Sequence, residues 1–391
     1  MDDARLRAAL GYLKFRRAPR VLIFDSGYLV VGDAINAAED LGWKVAKLPA
    51  QKKGSGENQF VAALLTALVT YQPDFVLTIN HIGFDETGVL AALLERYDIP
   101  TASWFVDHPM PILGAANKNA TSNLQLFCFE RTAFPWLSNN GYGEAVFLPT
   151  GANGRFFNAE KTDPLQIARF RFPLSFVGHS WWLKARVEPS KPVRKAAKEL
   201  WNKQKVNRAT LVGLCEKLLE KEDRELFAAV QVALAEASMD TRKRLIDRFR
   251  ELNVTLFGDK YWEKLCPGVK VFSPLDYHNE LPALFMGSDV NLNVTAEHMP
   301  TSVNQRVWDV PAVGGFLLTD AQEDALNVFV DGESMAFYTS LDEAGSKARF
   351  YLAHAEIRAR ISLKGAAIIH QSHLMTHRLQ YMYNVMKKRF G

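Results

Sequence analysis

The residues best suited to bind a charged ligand lie in the segment 291–309. It reads as a buried strand, a loop and a helix, with Thr301 or Ser302 expected as the helix N-cap. The amino end of such a helix attracts anions. Arg306 is expected one turn inside the helix, with Asp309 three residues further along the same face. A cation for phosphates and a carboxylate for sugar hydroxyls together indicate nucleotide binding. The alternative is an ordinary surface helix with an internal ion pair.

Further phosphate-binding candidates follow the predicted strand 174–177. Gly178 has no Cβ, so its backbone can approach a diphosphate closely. Lys184 and Arg186 lie just beyond it, and either side chain can reach a phosphate. In a segment this basic, solvated surface charge is the alternative for both residues.

Candidates for acid–base chemistry end two strands nearer the N-terminus. Asp107 and His108 follow the predicted strand 101–106, and His81 follows the predicted strand 75–79. A carboxylate or an imidazole at such a position can accept the proton of an attacking hydroxyl. The alternative for the first pair is a helix-capping carboxylate beside a surface imidazole.

The sequence predicts no metal site. No Asp-x-Asp motif occurs, so the usual carboxylate ligands of a diphosphate-bound divalent ion are missing. His370, His373 and His377 have the spacing of one helical face, but no carboxylate or cysteine accompanies them there, and we interpret them as packing residues. Phosphate charge must then be neutralised by Arg306, helix dipoles and lysines.

The sequence that carries these candidate residues reads as two series of alternating strands and helices. Such alternation predicts parallel, doubly wound sheets, in which ligands bind beyond the carboxyl ends of the strands. Residues 341–389 are expected to be helical throughout and to end in an amphipathic helix, 370–388. The predicted strands are 21–24, 44–48, 75–79, 101–106, 126–129 and 145–148 in the first series, and 174–177, 254–257, 269–272, 290–294 and 315–319 in the second.

Residues 184–250 contain 17 Lys and Arg against 10 Asp and Glu, and they read as several basic helices inserted after the first strand of the second series. The insertion lacks a recognised nucleic-acid-binding motif. We therefore interpret it as a docking surface for an acidic or protein acceptor and predict no nucleic-acid partner.

The composition limits the class of protein. The chain has 391 residues, of which 48% are apolar and 23% charged, as is typical of a folded protein with two domains. Its three cysteines are widely separated, which indicates a reducing compartment. No signal-peptide run and no stretch of about 20 apolar residues occurs. These features predict a cytoplasmic protein without an integral membrane segment.

Motifs along most of the chain resemble those of GT-B glycosyltransferases, and more narrowly those of the spore maturation CgeB-like family. In the first half they are IPTASWFVDHP at 99–109 and LPTG at 148–151. In the second half they are FVGH at 176–179, LFGD at 256–259, YHNELPALF at 277–285, TSVNQRVWD at 301–309 and GGFLLTD at 314–320.

The resemblance implies an α/β fold of two Rossmann-like, doubly wound domains that face each other across a cleft. Residues 1–160 are then the acceptor-side domain, and residues 161–368 are the nucleotide-sugar domain, with the helical insertion 184–250. Residues 369–391 are expected to form a helix that packs back on the N-terminal domain.

The resemblance also implies an activity, that of a hexosyltransferase. Such an enzyme moves a sugar from a nucleoside diphosphate, such as UDP, to a hydroxyl of a glycan or protein, with no cofactor and no metal in the chemical step. A non-catalytic nucleotide-sugar or glycan-binding module is the alternative, followed by a nucleotide-sugar epimerase. In the family's Glu-x7-Glu motif, Asp309 corresponds to the ribose-binding second glutamate, and Thr301 replaces the first. The expected donor-binding residues are Gly178, Lys184, Gly258, Asp259, Tyr277, Thr301, Ser302, Asn304, Arg306 and Asp309.

Overall fold

The structure, a computed structural model, describes residues 3–50, 57–114, 118–203 and 224–391. The chain forms two compact units. Unit 1 consists of Met1–Asn153 and Met375–Gly391, and unit 2 is Gly154–Leu374. Part of the predicted basic insertion, residues 204–223, lies outside the described residues.

Unit 1 contains a six-stranded parallel sheet. Its central strands are buried at every residue, as is typical of a parallel sheet with helices on both faces. The strands are β1 (Arg20–Asp25), β2 (Lys44–Pro49), β3 (Phe75–Ile79), β4 (Thr101–Phe105), β5 (Leu124–Cys128) and β6 (Val146–Phe147), in the order β2-β1-β3-β4-β5-β6. The helices of residues 3–153 are α1 (Asp3–Leu10), α2 (Leu29–Asp40), α3 (Glu57–Tyr71), α4 (Val89–Arg96), α5 (Pro109–Leu113) and α6 (Phe134–Asn139).

Unit 2 contains a second six-stranded parallel sheet. Its strands are β7 (Phe172–Val177), β8 (Thr255–Phe257), β9 (Lys270–Phe272), β10 (Ser288–Leu292), β11 (Leu317–Asp320) and β12 (Ala336–Tyr338), in the order β12-β11-β10-β7-β8-β9. Its helices are α7 (Pro164–Arg169), α8 (Lys191–Lys203), α9 (Arg224–Arg248), α10 (Trp262–Leu265), α11 (Leu281–Gly287), α12 (Arg306–Ala312), α13 (Glu323–Leu326), α14 (Leu341–Ala353) and α15 (Ala355–Ser372).

Unit 1 is completed by α16 (Met375–Phe390). Its side chains Leu379, Met382 and Met386 are buried in the same apolar cluster as Trp43 and Phe75. The backbone N–H of Met375 donates to the carbonyl of Ala152, at 2.8 Å. Helix α16 therefore packs against the core of unit 1.

Two Rossmann-like units with parallel sheets confirm the predicted fold class, but the C-terminal prediction needs correction. The region 341–389 is three helices, with interruptions at His354 and at His373–Leu374. His370 lies on α15, and its Nε2 donates a hydrogen bond to the carbonyl of Ala312, at 2.9 Å. His373 follows α15 and stacks on Trp308, whereas His377 lies on α16. The prediction that the three histidines share one helical face is wrong because the helix ends between them.

The described part of the basic insertion is helical, as predicted. Residues Leu183–Val187 form one π-helical turn, and α8 packs against α9. Small side chains allow this close contact, with Ala197 of α8 meeting Ala229 and Ala233 of α9.

Candidate functional site

Polar residues collect where three adjacent strands of unit 2 end. The sheet places β11, β10 and β7 side by side. Asp320 ends β11, Asn293 follows β10 and Gly178 follows β7. Because parallel strands share one carboxyl edge, these residues mark the edge at which such sheets bind ligands.

Asn293 is the centre of this edge. It is fully buried, and its side-chain oxygen accepts hydrogen bonds from Arg306 Nε at 2.9 Å and Asn304 Nδ2 at 3.0 Å. Its own amide donates to Thr319 Oγ1 at 2.9 Å, and its carbonyl accepts from the hydroxyl of Tyr338 at 2.7 Å. This network fixes the Arg306 side chain over the end of β10.

Arg306 is a cation in a desolvated place. Burial lowers the pKa of its guanidinium to about 10, an effect that nearby Asp309, Tyr277 and Asp320 partly oppose. The group therefore stays protonated at neutral pH. Within the described part of the chain, Arg306 forms no salt bridge, so the internal ion pair with Asp309 considered from the sequence is not formed.

The start of the helix differs from the prediction. Helix α12 begins at Arg306 itself and spans only seven residues, so neither Thr301 nor Ser302 is its N-cap. The preceding loop is held by other bonds: Asn304 Nδ2 donates to the Asn293 side chain, and the Thr301 carbonyl accepts the N–H of Asp324 at 3.1 Å. These bonds keep 301–304 out of the helix, and the site depends on side chains rather than on a long helix's dipole.

Asp309 lies in the interior rather than on an open face. It is fully buried, and its two carboxylate oxygens accept hydrogen bonds from the Tyr277 hydroxyl and from Gln305 Nε2, the latter at 2.9 Å. Tyr277 in turn packs edge-on against Phe157, with ring centroids 5.0 Å apart. Asp309 thus positions Tyr277 in this structure, and its contact with a ribose stays a prediction.

Gly178, Gly258 and Asp259 join two loops. A Cβ on Gly258 would lie 2.3 Å from the Gly178 carbonyl oxygen, so no larger residue fits there. The Asp259 carboxylate accepts hydrogen bonds from the backbone N–H and the hydroxyl of Ser180, at 2.6 and 2.7 Å. Gly178 and Gly258 thus allow the two loops to touch, and Asp259 holds Ser180 in place.

The loop after β7 carries a strained residue. Trp181 has φ +67°, which is uncommon for a bulky side chain and typical of functional loops. Its ring lies 5.1 Å from Nζ of Lys184, which is exposed. Arg186 instead pairs with Glu236 of α9 at 2.9 Å, which accounts for its charge.

Arg242, on α9, is a site residue that the sequence did not indicate. Its side chain is 6% exposed, and its Nη1 donates to the carbonyl of His179. Burial, with the nearby charge of Arg306, lowers its pKa to about 9. The sequence does contain one indication that Arg242 is buried. The part of α9 that precedes it is nearly uncharged, although the segment as a whole is basic, and an apolar stretch of helix packs inside the unit.

In unit 1, Asp107 is both exposed and oriented. Its Oδ2 accepts a hydrogen bond from Asn80 Nδ2 at 2.7 Å and from the Tyr28 hydroxyl at 3.3 Å. The Asn80 side-chain oxygen accepts the backbone N–H groups of Val106 and Asp107, at 2.9 and 3.1 Å. Asn80 and His81 both have positive φ, which is uncommon for residues other than glycine and is found at functional sites. The hydrogen bonds of Asn80 join the ends of β3 and β4 at this point.

His81 and His108 are buried, unlike Asp107. Burial lowers the pKa of His81 to about 3 and that of His108 to about 4, so both rings are neutral at pH 7. His81 Nδ1 lies 3.0 Å from Ser103 Oγ, and its ring stacks on Phe84. The alternative that His108 is a surface residue is wrong, because the residue is only 9% exposed.

Among the described residues, no group of three or more His, Cys, Asp or Glu side chains is arranged to hold a metal ion. The described helices also include none that is long and apolar enough to span a membrane.

Comparisons with known proteins agree with this architecture. Residues 241–384 match the family model described as glycosyl transferase-like. No curated protein matches the chain. Solved structures that resemble it include a glycosyltransferase from Rickettsia africae (TM-score 0.58, 9% identity, covering 95% of this chain and 99% of that one). Another is sucrose-phosphate synthase from Thermosynechococcus elongatus, with a TM-score of 0.59 and 10% identity, covering 96% of this chain and 99% of that one. A third is Anabaena HepE in complex with UDP-glucose, with a TM-score of 0.57 and 12% identity, covering 94% of this chain and 99% of that one. At these identities the likeness concerns the fold, which is GT-B as predicted.

Proposed function

We propose that this glycosyltransferase of the GT-B fold transfers a sugar from a nucleoside diphosphate to a hydroxyl of a glycan or protein. The observation that carries the proposal is Arg306, a desolvated guanidinium that Asn293 holds at the carboxyl edge of the second sheet. A buried charge without a counter-ion is costly, and a phosphate supplies the missing charge with strong hydrogen bonds. The likeness to HepE, solved with UDP-glucose, supports a UDP-sugar as the donor.

The chemistry follows from the placement of charge. The bond between the anomeric carbon and the diphosphate oxygen breaks, and a bond from that carbon to the acceptor oxygen forms. Arg306 stabilises the negative charge that the leaving diphosphate gains. Asp107 takes the proton of the acceptor hydroxyl, because its carboxylate is exposed and oriented by Asn80.

Three finer parts of the proposal are supported by the sequence. The motifs shared with the CgeB-like family favour that branch of the fold. The absence of Asp-x-Asp, together with Arg306, supports transfer without a metal in the chemical step. Cys128 and Cys266 are both free and buried, which agrees with a reducing, cytoplasmic location.

The test is release of nucleoside diphosphate from a panel of UDP- and GDP-sugars, with and without glycan and peptide acceptors. We expect acceptor-stimulated release that survives EDTA. Loss of turnover in EDTA with recovery on adding Mg²⁺ or Mn²⁺ contradicts the metal-free step. Donor binding without release indicates a binding module, and a changed sugar without transfer indicates an epimerase.

A further inference from the structure

The packing of helix α9 does not explain why it carries Arg242 into the interior. The side chain is 6% exposed, its Nε is buried without a hydrogen-bond partner, and in the described part of the chain it forms no salt bridge. Burying a charge in this way destabilises a fold. Such an arrangement is found where a ligand supplies the missing partner.

The anchors of Arg242 and Arg306 lie on neighbouring strands. Arg242 Nη1 donates to the carbonyl of His179, which follows β7, and Arg306 Nε donates to Asn293, which follows β10. Strands β7 and β10 pair directly, with Leu292 opposite Phe176, so both anchors lie beyond the same edge of the sheet, and the charge of Arg306 acts on Arg242. Two guanidinium groups therefore converge on one edge of the sheet.

The orientation of Arg242 is fixed from two sides. Its guanidinium carbon lies 5.8 Å from the ring centroid of Phe176 and 5.6 Å from that of Trp181. Helix α9 is tied to the loop after β10, because Thr241 Oγ1 donates to Glu297 at 2.9 Å and the N–H of Glu297 donates to Ser238 at 3.0 Å. The arginine is thus held at this edge before any ligand arrives.

The nearest carboxylates contact other groups. Asp259 accepts hydrogen bonds from Ser180 and Tyr261, and Asp320 accepts two from Thr295, at 2.9 and 3.0 Å. Both carboxylates favour the protonated form of Arg242 by raising its pKa, but neither forms a hydrogen bond with it. Neither carboxylate therefore pairs with the two arginines, and an anionic ligand with two charged groups fits them.

We propose that Arg242 binds one phosphate of the donor's diphosphate while Arg306 binds the other. The helical insertion then contributes to the donor site, in addition to any role as an acceptor surface. This inference rests on the proposed function, and it specifies the ligand as a diphosphate rather than a monophosphate.

The test compares wild type with Arg242→Met by calorimetric titration of UDP and UMP and by thermal unfolding without ligand. We expect the affinity for UDP to fall at least tenfold in the variant and the preference for UDP over UMP to shrink. We expect the melting temperature without ligand to stay equal or rise, because a buried charge that forms no salt bridge has been removed. A purely structural arginine gives the opposite pattern, with a lower melting temperature and an affinity for UDP within about twofold of wild type.

Arg248→Met is the matched control. Arg248 lies on the same helix, partly buried, and it contacts Asp342 at 3.4 Å instead of the site. Its replacement is expected to leave the affinity for UDP unchanged, and an equal loss in both variants overturns the proposal. If Arg242→Met does not fold, Arg242→Lys decides: an ammonium lacks the planar fork of donors with which a guanidinium binds a phosphate, so at least a threefold loss is expected. Lack of UDP binding by the wild type instead counts against the proposed function.

Discussion

Among single residues, Arg306 is the side chain on whose charge the proposed donor site depends most. Arg306→Ala is expected to weaken UDP binding by about 1.5–3 kcal/mol, because a charge-assisted hydrogen bond to phosphate is lost. Calorimetry measures the change. Arg186→Ala is the control, since that guanidinium is already paired with Glu236. Equal affinities of Arg306→Ala and wild type exclude this residue from the site.

Asp107 is the residue that we propose activates the acceptor. Asp107→Asn keeps the shape of the side chain but removes its basicity, so kcat is expected to fall by about 10² or more while the affinity for UDP stays near that of wild type. Steady-state kinetics with a donor and acceptor pair checks the first part, and titration checks the second. If His108→Gln shows this signature and Asp107→Asn does not, the base has been assigned to the wrong residue.

His108 makes stability depend on pH. Its pKa is about 4 in the folded protein, whereas an unfolded histidine has a pKa of about 6.5. The unfolded state therefore binds more protons between these values, and the free energy of unfolding is expected to fall with decreasing pH, by up to roughly 1.4 kcal/mol per pH unit. Urea unfolding at pH 5, 6 and 7 measures this slope. His108→Gln should have a shallower slope, and an identical one contradicts the assignment.

At the scale of elements, the loops after β7 and β8 are so close that only glycine fits. Gly258→Ala puts a Cβ 2.3 Å from the Gly178 carbonyl oxygen and 2.7 Å from Trp262 Nε1, so a loss of about 1–3 kcal/mol is expected. Gly32→Ala is the contrasting change within α2: nothing lies within 4 Å of its added Cβ, and helix propensity favours alanine by about 1 kcal/mol. Thermal unfolding of the two variants should therefore shift in opposite directions, and two equal shifts contradict this account.

Elements were predictable from sequence where a local pattern determines them. The strands β3 (FVLTI) and β4 (TASWF) are short, mostly apolar runs, and their predicted bounds agree with the structure within one residue. Strand β12, which was not predicted, has only three residues, and the start of α12 depends on the hydrogen bond between Asn304 and Asn293. Arg242 could not be assigned for the same reason, because its burial is set by where α9 packs.

At the scale of the whole molecule, α16 makes unit 1 discontinuous in sequence. Leu379→Ala removes a fully buried side chain from that unit's core, and a loss of about 2–4 kcal/mol is expected. Leu363→Ala, on α15, is the control, because that leucine is 73% exposed and its loss should cost little. Chemical denaturation compares the two, and similar losses contradict the role given to α16.

The order of synthesis gives this arrangement a further consequence. Residues 1–153 leave the ribosome first, yet the apolar surface around Trp43 and Phe75 stays uncovered until Met375–Gly391 has been made. At about 5–20 residues per second, that interval is on the order of 10–50 s. The unit whose synthesis begins first is therefore the last to be completed, and a nascent chain interrupted before Met375 exposes an apolar surface that chaperones and proteases can recognise.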